Sequence, residues 1–329
     1  MGNTREEQLH RALFRGDWLG LANPAYLRTV RVFLEELLSS DLGAGDLTAQ
    51  ALQLQERRAS AVVMAKAPGV AAGLCEFAWL YGRGGIPVRV RKKDGDLVVS
   101  GDVLIEIEGR RGDLLAYERV GLNLLQRLSG IATVTRRLQD QVHRRNPGTQ
   151  VVATRKTPWG LLDKRAVHLG GGGTHRLGLW DGIMAKNNHL ALLAECEEEA
   201  VCIAVRRAWA SRRSATFLEV EVRSRGSALA AARTFRDLQA EAQDEDTPAC
   251  PCLLLLDNMA VREVSAILDA LRAENLIEHV LVEASGNISE DNLEAYATCG
   301  VDAISMGALT HSPRVLNLCQ RLSETGEDS

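Results

Sequence analysis

The stretch 153–189, ATRKTPWGLLDKRAVHLGGGGTHRLGLWDGIMAKNNH, holds most of the side chains that could do chemistry. Arg155, Lys156, Lys164, Arg165, Arg176 and Lys186 gather around the glycines 170–173, with His168, His175 and His189 among them. Only Asp163 and Asp181 oppose them, in a chain whose formal net charge is −4. A local excess of cations against an acidic background suits a small ligand carrying several negative charges. Arg holds carboxylates bidentately, and Lys with backbone N–H groups holds phosphates. A solvated basic loop would show the same charge count. The apolar residues flanking the cations, as in VVATRK and GIMAK, favour burial instead.

A second set of charges sits inside apolar runs: Glu219 and Glu221 in LEVEV, Asp257 in LLLLDN and Glu283 in LVEAS. Glu219 and Glu221 are two residues apart, so they share one face of a strand and Val220 takes the other. Buried carboxylates need partners. Two are available: the Lys/Arg segment, in an internal ion-pair network, or a hard cation such as Mg²⁺, which takes one or two carboxylates together with substrate phosphates. Ser285-Gly286-Asn287 and Met306-Gly307-Ala308 each follow such a run and precede a helical segment, so their backbone N–H groups can approach a phosphate. No cysteine lies in the cationic segment and no serine in a nucleophile elbow, so nothing points to a covalent intermediate. The chemistry implied is charge stabilisation.

The elements that must hold these groups follow three patterns. Residues 5–40 carry helical apolar spacing interrupted at Asn23-Pro24, and 114–143 carry it again. Between them, 58–110 alternates short β-rich runs with Asp94-Gly95-Asp96 and Gly101-Asp102, turn signals that predict hairpins. From about 150 onward, apolar runs at 151–154, 182–186, 217–222, 252–258, 279–284 and 301–306 alternate with helical segments. That alternation predicts parallel strands covered by helices. Each run ends in a polar residue, as the functional ends of barrel strands do. A dinucleotide-binding sheet is the competing architecture, but no GxGxxG follows a first strand.

With 329 residues, the chain has room for about two domains, or one large barrel and an appendage. Apolar residues make up 46% and charged ones 25%, as in soluble globular proteins, and no apolar run is long enough to span a membrane. The polar start MGNTREEQLHR has no signal-peptide core. Seven scattered cysteines read as reduced residues of a cytoplasmic protein. Cys250-Pro251-Cys252 lacks the second pair or His cluster that a metal site needs. A single pocket-sized basic cluster, with no basic stripe, argues against nucleic acid as a partner.

In order along the chain, SDLGAGDLTA (40–49), ERVGLNLLQRLSGIATVT (118–135), ATRKT (153–157), GGGGTHRLGLWDGIMAKNNH (170–189), LEVEV (218–222), LLLLDN (253–258), VEASGNI (282–288) and ISMGALTHS (304–312) resemble quinolinate phosphoribosyltransferases. The resemblance implies an N-terminal helical and α/β sandwich domain over 1–130, joined by 310–329, and an incomplete, seven-stranded α/β barrel over 131–309. It implies conversion of quinolinate and phosphoribosyl pyrophosphate into nicotinate mononucleotide, pyrophosphate and CO₂, with Mg²⁺, in NAD biosynthesis. By motif match it assigns quinolinate to Arg155, His175, Arg176 and Lys186, with Arg119 donated across a homodimer interface. Lys156 and Lys186 would contact the phosphoribosyl donor, and Glu221 and Asp257 would hold Mg²⁺ and the ribose hydroxyls. The 5′-phosphate would rest on Ser285, Gly286, Asn287, Gly307 and Ala308.

Three departures from the usual pattern bear on substrate choice. PWGLLDK is about two residues shorter than the usual loop after TRKT, SGNI replaces SGGI, and KNNH replaces KDNH or KENH. Another aromatic acid as acceptor, as in a molybdenum-transport-associated branch, and a non-catalytic binding protein on this scaffold are the alternatives.

Overall fold

Local signals at the start of the chain are realised, except that the first helix stops at Leu13, well before the expected interruption at Asn23-Pro24. Thr4 and Glu7 form a capping box on α1 (Arg5–Leu13), and the Asn23 side chain accepts from the Ala25 and Tyr26 N–H groups to open α2 (Pro24–Leu42) with Pro in its first turn. The computed structural model describes residues 4–54, 57–242 and 250–324; the chain ends 1–3 and 325–329, assigned above to the sandwich domain, lie outside the described residues.

After α2 come α3 (Leu47–Ala51), β1 (Arg58–Ala65), β2 (Gly69–Val70), α4 (Leu74–Arg83), β3 (Val88–Val90), β4 (Leu97–Val98), β5 (Val103–Arg110) and α5 (Arg111–His143). The middle of the chain forms β6 (Gln150–Val152), α6 (Leu161–Leu169), β7 (Ile183–Ala185), α7 (Asn187–Leu190), α8 (Glu197–Ala210), β8 (Leu218–Val222) and α9 (Arg225–Glu241). It ends with β9 (Cys252–Asp257), α10 (Val261–Ala273), β10 (Leu281–Ser285), α11 (Leu293–Cys299), β11 (Ala303–Ser305), α12 (Ala308–His311) and β12 (Leu318–Glu324). Among the described residues, no helix is long and apolar enough to cross a membrane.

Contacts divide the chain into two units. The first comprises residues 16–136, 157–171 and 309–329 and contains an antiparallel sheet of order β12-β1-β5-β3. Along β1, Ala59, Ala61, Val63 and Ala65 point inward, the period-two burial of a sheet with one covered face. The Gly101-Asp102 turn does not close a hairpin between β4 and β5: β4 pairs with β2, while β5 lies between β1 and β3. Turn residues mark where the chain bends, whereas the pairing partner depends on which apolar faces can be buried together.

The second unit comprises residues 1–15, 137–156 and 172–308 and contains a parallel sheet of order β6-β11-β10-β9-β8-β7. All residues of β8 and β11 are buried, as expected for strands covered on both faces. Six strands form the ladder, and Gly173 adds a seventh position as a single parallel bridge to Val152. The sheet must curl. His175, two residues beyond the Gly173 bridge at one edge, lies 3.4 Å from Glu219 on β8, near the other edge. In a flat sheet the five strand spacings from the Gly173 position to β8 would separate them by roughly 24 Å.

The expected domain limits shift at two places. Residues 1–15 belong with the parallel sheet, because Leu9, Ala12 and Leu13 of α1 pack with Val152, Phe217, Leu253, Leu281 and Ala303. Leu281 and Ala303 begin their strands, so α1 closes the N-terminal end of the barrel. Residues 157–171 belong with the antiparallel unit, where Trp159 and Asp163 bind α5.

Candidate active site

The C-terminal ends of the parallel strands bring most of the singled-out residues together. Arg155 and Lys156 follow β6, Lys186 follows β7, Glu221 lies in β8, and Asp257 ends β9. Ser285 ends β10 and leads into Gly286 and Asn287, while Gly307 and Ala308 follow β11. His175 and Arg176 come from the segment after the Gly173 bridge. Arg119 does not join them within this unit: it lies on α5 in the antiparallel unit. Lys164 and Arg165 also belong to that unit, where Arg165 sits 3.8 Å from Glu76 and 3.6 Å from Asp94. The cationic stretch 153–189 is therefore divided between two surroundings, which charge spacing alone could not show.

Arg176 is buried, and its Nη1 reaches the Gly182 carbonyl at 3.4 Å. Burial, followed by repulsion from Arg155, lowers its guanidinium below the usual arginine value, while Glu219 and Asp181 pull the other way. Two guanidiniums at the same end of the sheet favour a ligand with more than one negative charge. Asp181 in turn accepts from the Leu177 N–H at 2.8 Å and lies 3.4 Å from Arg15, fixing the loop that carries Arg176.

His175 has a left-handed backbone, φ +53°, and its Nε2 lies 3.1 Å from Glu283 and 3.4 Å from Glu219. All three side chains are buried. Burial disfavours the imidazolium, and the Arg176 N–H, 2.7 Å from Nδ1, opposes a second ring proton. Two carboxylates in a weakly screened interior outweigh burial and push His175 up to about 9. Burial and then Glu283 raise Glu219. Burial also works against ionised Glu283, but His175, the Ser305 hydroxyl and Lys186 prevail and lower it. These acids thus take the internal ion-pair alternative, with His175 and Lys186 as their cations.

Glu221 and Asp257 lie outside that cluster, on neighbouring strands. Glu221 is buried, and its Oε1, 3.5 Å from the Arg223 guanidinium, accepts no hydrogen bond among the described residues. Asp257 is half-buried, and the Asn258 amide donates to its Oδ2 at 2.7 Å. Two carboxylates with unused oxygen capacity fit Mg²⁺, which binds few protein oxygens and keeps water and phosphate ligands. The loop after β10 differs from its expected form. α11 starts only at Leu293, seven residues long, and α12 has four. Any phosphate received there would meet loop N–H groups and not a helix N-terminus, with Gly286 at φ +84° and Asn287 at φ +49°.

The sequence singled out each of these charges, Asp181 among them, but gave no positioning role to Asn258 or Asp181. The adjacency Asp257-Asn258 at a strand end was the available signal for the first. All seven cysteines are free thiols; Cys250 and Cys252 are buried, and burial pushes Cys250 up to about 11, the character of core thiols.

Comparison with known proteins agrees with this architecture. The quinolinate phosphoribosyl transferase N-terminal domain matches residues 46–129, and the C-terminal domain of the same family matches 131–319. The chain is 37% identical over 288 residues to a probable nicotinate-nucleotide pyrophosphorylase (carboxylating) of Methanothermobacter thermautotrophicus, covering 87% of this chain and 96% of that protein. It is 36% identical over 294 residues to the corresponding Mycobacterium leprae protein, covering 87% and 94%. Among solved structures, NadC from Streptococcus pyogenes superposes with a TM-score of 0.75 at 30% identity, covering 90% of this chain and 97% of that one. With both family domains matched in order over most of its length, this chain belongs to the quinolinate phosphoribosyltransferase family.

Proposed function

We propose that the chain transfers the phosphoribosyl group of phosphoribosyl pyrophosphate to quinolinate with decarboxylation, yielding nicotinate mononucleotide, pyrophosphate and CO₂ for NAD biosynthesis. The observation that carries this reading is that Arg155, Lys156, Arg176 and Lys186 are gathered with Glu221 and Asp257 at the C-terminal end of one parallel sheet. Quinolinate, with two adjacent ring carboxylates, supplies two negative charges for Arg155 and Arg176. His175, whose Nε2 is committed to Glu219 and Glu283, serves this pocket through its charge.

Lys156 and Lys186 face the donor's phosphates, and Ser285, Gly286, Asn287, Gly307 and Ala308 receive its 5′-phosphate. Glu221 and Asp257 would hold Mg²⁺, which neutralises charge on the departing pyrophosphate. The same carboxylates orient the ribose hydroxyls and stabilise the positive charge that grows at C1′ as the C–O bond breaks. The pyridine nitrogen donates its lone pair to C1′ and becomes cationic. The bond from ring carbon 2 to its carboxylate then breaks, CO₂ leaves, and that carbon keeps the electron pair until it takes a proton. Arg155 and Arg176 hold the ring in place through both events.

The active unit is a cytoplasmic homodimer in which Arg119 of one copy completes the quinolinate pocket of the other. Incubating the protein with quinolinate, phosphoribosyl pyrophosphate and Mg²⁺ should yield nicotinate mononucleotide and pyrophosphate together. Turnover of nicotinate in place of quinolinate would instead favour a different acceptor, and binding without pyrophosphate release would favour a non-catalytic role.

A further inference from the structure

Asn287 stands where SGGI-type sequences have glycine, and its side chain makes a contact that glycine cannot make. Its Nδ2 lies 3.1 Å from Oδ1 of Asn258, and Asn258 Nδ2 lies 2.7 Å from Oδ2 of Asp257. The direction of this chain is fixed by its end: a carboxylate only accepts, so Asn258 must present its N–H to Asp257 and its carbonyl oxygen to Asn287. The backbone supports the arrangement from both sides. The Asn258 N–H donates to the Ser285 carbonyl at 2.9 Å, and Asn292 Nδ2 donates to the Asn287 carbonyl at 3.2 Å. Gly286 leaves the room required, since a Cβ there would lie 2.3 Å from Asn258 Oδ1. Asn287 itself adopts φ +49°, a region that Asn tolerates better than most residues.

The geometry points to Asn287 as a positioning residue that, through Asn258, fixes the carboxylate of Asp257 relative to the Ser285-Gly286 loop. The inference rests on the phosphoribosyl reading, in which that loop takes the 5′-phosphate and Asp257 serves the ribose and the metal. One donor molecule must meet both groups, so a side-chain link that sets their separation favours the donor and leaves the quinolinate pocket untouched. Asp257 Oδ2 is the oxygen that Asn258 engages.

Calorimetric titration with magnesium phosphoribosyl pyrophosphate, and separately with quinolinate, tests the link. Asn287→Gly keeps a backbone-compatible residue and should weaken donor binding by about threefold to tenfold, the effect of one hydrogen bond, without changing quinolinate affinity. Asn287→Asp should weaken it more, because a carboxylate facing Asn258 Oδ1 sets acceptor against acceptor. Adding Asn287→Gly to Asn258→Gly should cause no further loss, since both residues act along one chain. Donor binding by Asn287→Gly equal to wild type, equal weakening of both ligands, or fully additive losses in the double variant would overturn the link alone. Failure of the wild-type protein to bind the donor would overturn the phosphoribosyl reading and the link with it.

Discussion

Replacing His175 with Asn removes the imidazolium held between Glu219 and Glu283 and keeps a residue that tolerates φ +53°. In the folded protein the two carboxylates push His175 from its ordinary 6.5 to about 9. At about 1.4 kcal/mol per pH unit, that difference contributes about 3 kcal/mol to stability. The folded value lies above the unfolded one, so the contribution is complete below pH 6.5 and is lost as pH rises through about 9. Urea unfolding of both proteins in steps from pH 6 to 10 is the assay. The wild type should exceed His175→Asn by about 3 kcal/mol at pH 7, and the gap should close as pH passes about 9. Equal stability at pH 7, or a gap that stays constant to pH 10, would refute the buried ion-paired cluster.

Arg176→Ala should raise the KM for quinolinate far more than that for the donor, by the equivalent of roughly 2–5 kcal/mol, in steady-state assays varying each substrate. Equal effects on both would reassign this arginine. Trp159→Ala should lower stability by about 1–3 kcal/mol on thermal or urea unfolding, because its ring lies 5.1 Å from Phe33 and 5.1 Å beneath the Arg127 guanidinium. Arg119→Ala and Lys156→Ala, each inactive alone, should recover about a quarter of wild-type activity after subunit exchange. Half of the resulting dimers are mixed, and each mixed dimer has one intact site. Persistent inactivity after verified exchange would remove the shared site.

The parallel unit was legible because its information is local. Runs such as CLLLLDN and HVLVEA announce buried strands, and their polar last residues announce the functional end. The start of α2 was equally plain from Asn23-Pro24. What stayed hidden depends on contacts far apart in sequence. Nothing near β4 shows that it pairs with β2 and not with β5, and nothing in 318–324 announces its place beside β1. The basic residues of 153–189 look alike in sequence, yet Arg165 is taken up by Glu76 and Asp94 in one unit while Arg155 and Arg176 belong to the other. Likewise, Glu219 and Glu221 share one strand face, but only Glu219 meets His175, because the curl of the sheet decides which interior group comes within reach.

The central claim, decarboxylating transfer to quinolinate, is tested most directly by following a labelled carboxylate on ring carbon 2 of quinolinate. In the presence of phosphoribosyl pyrophosphate and Mg²⁺, the account predicts that this label leaves as CO₂ in a one-to-one ratio with pyrophosphate, while nicotinate mononucleotide accumulates unlabelled. Label retained in a nucleotide product, or pyrophosphate released without labelled CO₂, would contradict it.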